Sequence, residues 1–228
     1  MTEMAATKSR RPNVATFLIW ILVFGALWGM SEVALGGGLK AASFPYRSGL
    51  LTGIGMGILA AAAAIWRKPL MLVGIGLVAA SVNLLAIPVM HLAVSCKANS
   101  CVAVVIEAAS LSLVAAALMN KTNAYVRMAG GAASAVLASA GFYLIGTHVA
   151  PCQYLWSFGN VGTFVVKEGL TWAGFAAVLV PLGYIAGEKL ASRLQVAEST
   201  KRLAYYGTAS AIIGSSLGIS YFAIIAGL

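Results

Sequence analysis

Long apolar runs with few charges, separated by short polar loops, follow one another along almost the whole chain. A helix needs about 20 mostly apolar residues to cross a hydrocarbon core about 30 Å thick. The chain is therefore predicted to fold as an all-α polytopic bundle, a single integral membrane domain over residues 1–228. The runs that predict seven spans cover residues 14–35, 49–66, 70–94, 101–119, 128–149, 161–186 and 204–226.

Composition and charge placement exclude the main soluble alternatives. Of the 228 residues, 61% are hydrophobic and 9% are charged, whereas a soluble domain carries about 25% charged residues. The net charge of +9 comes from basic residues spread over short loops, not from a basic helix face or tail that could bind phosphates. The expected partner is the lipid bilayer, and nucleic acid is not expected.

The lysines and arginines predict the orientation of the bundle. With the N-terminus in the cytoplasm, eleven of them fall on the cytoplasmic side and four, namely Lys40, Arg47, Lys97 and Lys167, fall outside. This bias follows the positive-inside rule and predicts an integral protein of the plasma (bacterial inner) membrane.

Two segments outside the predicted spans follow from the same orientation. Residues 1–13 form a cytoplasmic tail, and residues 187–203 form a cytoplasmic loop or interfacial helix that extends the sixth span. Six spans is the alternative, because the aromatic stretch 153–166 could be an interfacial or re-entrant segment. Losing a span there would erase the charge bias, so seven spans are favoured.

Three of the six acidic residues are expected in the outer half of the membrane. Glu32 and Glu168 come near the outer ends of the first and sixth spans, and Glu107 comes about 9 Å into the fourth. A charge in the hydrocarbon costs about 3 kcal/mol on insertion scales, so such residues predict function. The alternatives are a neutral Glu107 hydrogen-bonded within the bundle, and a Glu168 that pairs with Lys167.

The side chains that bind metals or carry out redox chemistry are also predicted on the outer side. They are His91, Cys96, Cys101, His148 and Cys152. Cys96 and Cys101 could form a disulfide, since that side is oxidising. Thiolate and imidazole could instead bind a transition metal or an iron cofactor, although the spacing matches no standard zinc motif. Ordinary loop residues are the third interpretation.

One further polar residue completes the candidate binding site. Asn83 lies near the middle of the third span, where an amide either contacts a substrate or bonds to a neighbouring helix. The candidate substrate-binding residues of the predicted outer site are Glu32, Asn83, His91, Glu107, His148 and Glu168.

No recognisable catalytic motif is present. The sequence has no phosphate-binding Gly-x-x-x-x-Gly-Lys-Ser/Thr loop and no His-Glu-x-x-His zinc motif. The one Gly-x-Ser-x-Gly string, Gly214–Gly218, falls inside the last predicted span, where it lacks the strand-turn-helix context of a nucleophile elbow. The protein is not expected to hydrolyse ATP itself, and no catalytic residues are predicted.

Small residues recur at four-residue spacing inside the predicted spans. In membranes such residues let helices pack closely. Most of them are expected to pack this protein's own bundle. The pairs are Gly25 with Gly29, Gly53 with Gly57, Gly76 with Ala80, Gly130 with Ser134, and Gly214 with Gly218.

The layout resembles the substrate-binding S components of energy-coupling factor transporters. The resemblance is carried by size, helix number, basic cytoplasmic loops, the stretch 25–35 and the following Phe44-Pro45 and Gly53-Ile-Gly55 segment. Gly25-x-x-x-Gly29 stands where many such components have Ala-x-x-x-Ala, and seven spans replace the usual six. The resemblance implies capture of a vitamin or metal from outside, with a separate membrane scaffold and ATPase subunits as partners.

Three functions are consistent with these patterns. The first is a capture or transport subunit that binds a small molecule or metal ion from the outer side. The second is a membrane redox or metal-cofactor protein that uses the outer cysteines and histidines. The third is a structural or assembly subunit whose polar residues only join helices.

Overall fold

The computed structural model describes residues 14–90, 94–118, 123–149, 151–200 and 202–228, and their side chains except at 94–96, 195–200 and 202. Every regular element in these ranges is helical. The α-helices are α1 (Val14–Met30), α2 (Gly36–Ala41), α3 (Arg47–Trp66), α4 (Leu70–Leu84), α5 (Ala86–Met90), α6 (Val94–Leu118), α7 (Ala124–Val149), α8 (Gln153–Trp156), α9 (Val161–Phe164), α10 (Leu170–Thr200) and α11 (Arg202–Ile225).

Two π-helical turns interrupt this series. The first π turn (Ser31–Leu35) joins α1 to α2, and the second π turn (Val165–Gly169) joins α9 to α10. Each stays within a continuous helical segment, so the first and sixth spans are long helices with one wider turn near the predicted outer end. Such turns occur mostly as single insertions and are frequent at functional sites.

Seven helical segments of the described chain are long and apolar enough to cross a bilayer, which confirms the predicted all-α membrane bundle. They are Val14–Ala41, Arg47–Trp66, Leu70–Met90, Lys97–Ala117, Ala124–Val149, Val161–Leu194 and Leu203–Ile225.

The aromatic stretch before the sixth span is not itself a span. It contains the short helix α8, in which Leu155 is fully buried and Trp156 is exposed. The chain then turns at Gly159, whose φ is +73°, and the sixth span begins at Val161. The aromatic side chains thus cover the end of the bundle. Past the sixth span α10 continues to Thr200, as the predicted helical extension requires.

Helix α3 occupies the centre of the arrangement. It packs most extensively on α10 and also contacts α1, α4 and α6. Around it, neighbouring helices contact one another in the order α11, α1, α4, α6, α7 and α10. A side chain on α3 can therefore contact residues of several other spans.

Close backbone approach explains the extensive α3–α10 contact. A Cβ atom built on Gly183 of α10 would overlap the carbonyl oxygen of Gly57, and one on Gly187 would overlap that of Ala61. Small residues permit this approach in lipid, where packing rather than the hydrophobic effect holds helices together.

The predicted packing role of the other small residues holds for part of the set. Gly25 and Gly29 pack against Val78 and Val82 of α4, and Gly76 packs against Ala108 of α6. A Cβ atom on Gly214 or Gly218 of α11 would meet no atom of the described chain within 4 Å. Those two glycines face away from the bundle.

Candidate functional site

A cavity of about 240 Å³ lies among the ends of α3, α6 and α8, on the side predicted to be outside. Its charged lining residues come from three separate segments: Glu32 from the first π turn, Arg47 from the start of α3, and Glu107 from α6. The sequence predicted that Glu32 and Glu107 share the outer half of the membrane, and the fold places both at this cavity.

Glu107 is the deepest of the three charged lining residues. The fourth span begins at Lys97, four residues before the predicted start, so Glu107 lies about 15 Å along the helix from that end. This is close to the middle of the span and deeper than the predicted 9 Å. Its side chain is 4% exposed, and Thr52 Oγ1 of α3 donates a 2.9 Å hydrogen bond to its Oε1.

One turn before Thr52, α3 presents a second hydroxyl to the cavity. Ser48 Oγ donates a 2.8 Å hydrogen bond to Oε2 of Glu168, which lies in the second π turn. Residues four apart on a helix share a face, so Ser48 and Thr52 form a polar stripe on an otherwise apolar helix. Glu168 therefore bonds to another helix, whereas the alternative prediction was a pair with Lys167. The side chain of Lys167 is exposed.

The third carboxyl group is held by an aromatic side chain. Trp28 Nε1 donates a 3.1 Å hydrogen bond to Glu32 Oε1, and Trp28 itself is fully buried. A Cβ atom on Gly55 of α3 would overlap the Trp28 indole, so the absence of a side chain at this position leaves space for the ring. Each π turn thus carries a carboxyl group that accepts a hydrogen bond from a neighbouring side chain.

Three buried polar atoms of the lining have no hydrogen-bond partner within the described part of the chain. They are Glu107 Oε2, Asn99 Oδ1 and Trp172 Nε1. Leaving a buried donor or acceptor unpaired costs about 1–3 kcal/mol. All three residues belong to the lining of one cavity, which favours a polar solute there.

Aromatic rings form the remaining wall. Phe142 of α7 and Trp172 of α10 lie with ring centroids 6.1 Å apart, and Tyr154 of α8 lines the entrance side. Burial first, and then the negative charge of Glu168 and a hydrogen bond to it, raise the pKa of Tyr154 above its ordinary value. The phenol therefore stays neutral at physiological pH and keeps its hydrogen-bond donor.

The other predicted substrate-binding residues do not line this cavity. Asn83 is buried in α4, and its Nδ2 has no partner among the described residues. His148 is exposed on the last turn of α7, with Nδ1 2.8 Å from the carbonyl oxygen of Leu144. His91 lies outside the described residues.

The described structure does not support the predicted disulfide. Cys101 is a free cysteine whose thiol donates a 3.5 Å hydrogen bond to the carbonyl oxygen of Ala80. Cys96 and Cys101 belong to one helix, where five residues rise about 7.5 Å, whereas a disulfide joins Cα atoms about 4.4–6.8 Å apart. The side chain of Cys96 is outside the described set.

The predicted metal site does not form from the residues that the structure describes. No three side chains of His, Cys, Asp or Glu come together among them. Cys101 and Cys152 are both half-buried free cysteines, and His148 is not one of the cavity-lining residues. Two of the predicted ligands, His91 and the thiol of Cys96, lie outside the described set.

Of the lining residues, sequence reasoning named only Glu32 and Glu107 as site residues and missed the others, among them Arg47, Thr52 and Trp172. Arg47 was counted only for topology. The signal that could have identified α3 is the Ser48/Thr52 pair, two hydroxyl groups four apart at the outer end of an apolar helix.

Comparison of the chain with protein-family models, with curated proteins and with solved structures finds no match. The functional argument therefore depends on the geometry of the cavity.

Proposed function

We propose that this integral membrane protein captures a small polar solute in the outer cavity and acts as a substrate-binding or transport subunit. The observation that carries the proposal is Glu107, a buried carboxyl group near the middle of its span that has one unpartnered oxygen and belongs to the lining of the cavity. Ionisable residues at such depth are expensive and usually mark a solute pathway.

The packing below Glu107 supports capture over free conduction. Residues that fill the interior further along α3, α4 and α6 are apolar and at most 1% exposed. They are Met56, Leu59, Ala63, Leu72 and Leu111. A cavity that ends against such a core holds a solute at one side of the bundle, and release to the other side requires a rearrangement of helices.

Energy for that rearrangement is proposed to come from partner subunits. The sequence has no phosphate-binding loop for ATP, and the resemblance to S components implies a membrane scaffold with separate ATPases. An exchange of solute down its own gradient would need no such partner. Purification of the intact protein from its native membrane, with and without crosslinking, distinguishes these routes by whether ATPase subunits accompany it.

Native mass spectrometry tests capture directly. The protein is purified in mild detergent from cells that express it, as wild type, Glu107→Gln and Ser112→Ala. Ser112 lies on the same helix as Glu107 and donates to the carbonyl oxygen of Pro69, outside the cavity lining. A stoichiometric extra mass on wild type and Ser112→Ala that is absent from Glu107→Gln is the expected result. Equal masses on all three proteins would contradict the assignment of the site.

A further inference from the structure

We infer that the solute is a small zwitterion that places a protonated amine against Glu107 and a carboxylate against Arg47. This inference rests on the proposed capture function and names its substrate class. It follows from three features of the lining: a carboxyl group at the deep end, a cation at the entrance, and aromatic side chains in the wall.

The deep end of the cavity favours a positively charged hydrogen-bond donor. Glu107 Oε2 is an acceptor that lacks a partner in the described chain. Glu107 Oε1 already accepts from Thr52, so an incoming group has to satisfy the remaining oxygen. An ammonium group carries three donors and no acceptor, and it compensates the charge of a carboxylate buried at this depth.

The entrance carries the opposite charge. Arg47 is the first residue of α3 and belongs to the lining. A guanidinium recognises carboxylates through paired hydrogen bonds. Glu32 also lines the cavity, so Arg47 is the one cation beside two carboxyl groups in the described lining. The ligand therefore needs an anionic group at this end.

The axial separation of the two backbone positions on α3 indicates the size of the molecule. Thr52, which contacts Glu107, follows Arg47 by five residues, a rise of about 7.5 Å along α3. The two charges of an α-amino acid are closer together than this. A spacer such as a ring or a short chain has to separate the amine from the carboxylate.

The walls fit an organic spacer better than a metal ion. Phe142 and Trp172 supply aromatic surface, which favours a flat or apolar group and also a nearby cation. The unpartnered Trp172 Nε1 can donate to an acceptor on the solute. A calcium ion, for example, binds about six to eight oxygen ligands at 2.3–2.6 Å. The described residues bring together no cluster of three acidic, histidine or cysteine side chains.

Four probes test the inference: 4-(aminomethyl)benzoate, benzylamine, benzoate and Zn²⁺. Each is titrated into the full chain in mild detergent and followed by calorimetry and tryptophan fluorescence. The zwitterion should bind about tenfold or more tighter than either single-charge probe. Glu107→Gln should weaken the zwitterion and benzylamine about tenfold and spare benzoate, whereas Arg47→Gln should weaken the zwitterion and benzoate and spare benzylamine. Ser112→Ala should match wild type.

The remaining outcomes separate failure of the substrate class from failure of the site. If Zn²⁺ binds, Glu107→Gln abolishes that binding and the zwitterion does not bind, the zwitterion class is overturned and the proposed capture site is retained. A preference for benzoate, or a co-purified mass that lacks an amine, would do the same. If no probe binds and Glu107→Gln carries the same co-purified mass as wild type, both the class and the capture site are overturned.

Discussion

Thr52 and Glu107 belong to different spans, and the Thr52 hydroxyl donates a 2.9 Å hydrogen bond to Glu107 Oε1 where both side chains are almost fully buried. This bond fixes the carboxyl group of α6 against the central helix. Because Oε2 of Glu107 has no partner in the described chain, the Thr52 bond orients the group that we propose to receive the solute.

Thr52→Val keeps the shape of the side chain and removes that bond. We expect the free energy of unfolding, measured by titration with SDS, to fall by about 1–3 kcal/mol because a buried carboxyl oxygen loses its donor. Thr208→Val is the matched control, since the Thr208 hydroxyl donates to the carbonyl oxygen of Ala204 in its own helix at an exposed position. The control should change stability by less than about 0.5 kcal/mol. Equal effects of the two substitutions would contradict the buried bond.

The α3–α10 contact makes a second prediction. Gly183→Ala should lower the midpoint of thermal unfolding strongly or prevent folding, because the new methyl group would overlap the backbone of Gly57 and overpacking costs about 1–3 kcal/mol. Gly174→Ala on the same helix is the control, because a Cβ atom there meets nothing within 4 Å. Size-exclusion chromatography after a heating series provides the measurement. A monodisperse Gly183→Ala protein with the wild-type midpoint would show that the helices are not in close contact.

A third prediction concerns the opposite end of the bundle. Arg127 of α7 pairs with Glu188 of α10 at 2.6 Å, and its guanidinium lies 4.7 Å from the centroid of the Tyr184 ring. The Arg127 side chain is 9% exposed and that of Glu188 is 49% exposed. Glu188→Gln should therefore destabilise the fold by about 1 kcal/mol at low salt, as partly solvated ion pairs do.

Salt dependence separates this ion pair from simple packing. At 1 M salt the Debye length is about 3 Å, so the difference between wild type and Glu188→Gln should shrink. Lys189→Gln removes a charge from the next, exposed position and should have little effect at either salt concentration. A Glu188→Gln effect that is unchanged at 1 M salt would mean that shape rather than charge stabilises this contact.

Depth along each helix could be predicted from sequence only approximately, since Glu107 lies about 15 Å rather than 9 Å from the start of its span. Rotation of a helix about its axis could not be predicted. The positions of Glu32 and Glu107 near one side of the membrane followed from counting residues along the spans. The helix faces that pack against each other could not be predicted, because a face toward lipid and a face toward the core are both apolar in a membrane bundle. For that reason the contact of α3 with both Glu107 and Glu168, and the place of Trp172 in the cavity, required the structure. No sequence pattern predicted the π turns that position Glu32 and Glu168.

The state of the outer cysteines provides the last prediction. In a Cys152→Ser variant purified without reductant and unfolded in SDS, Cys101 should take up one maleimide, because the structure has it as a free cysteine hydrogen-bonded to the Ala80 carbonyl oxygen. The helical rise of about 7.5 Å between positions 96 and 101 exceeds what a disulfide joins. Mass spectrometry of the digested protein locates the label. A chain that gains no label until it is reduced would restore the Cys96–Cys101 disulfide and require α6 to begin after Cys101. Because Asn99 precedes that point, such a result would also remove Asn99 from the helical frame that brings its side chain to the cavity.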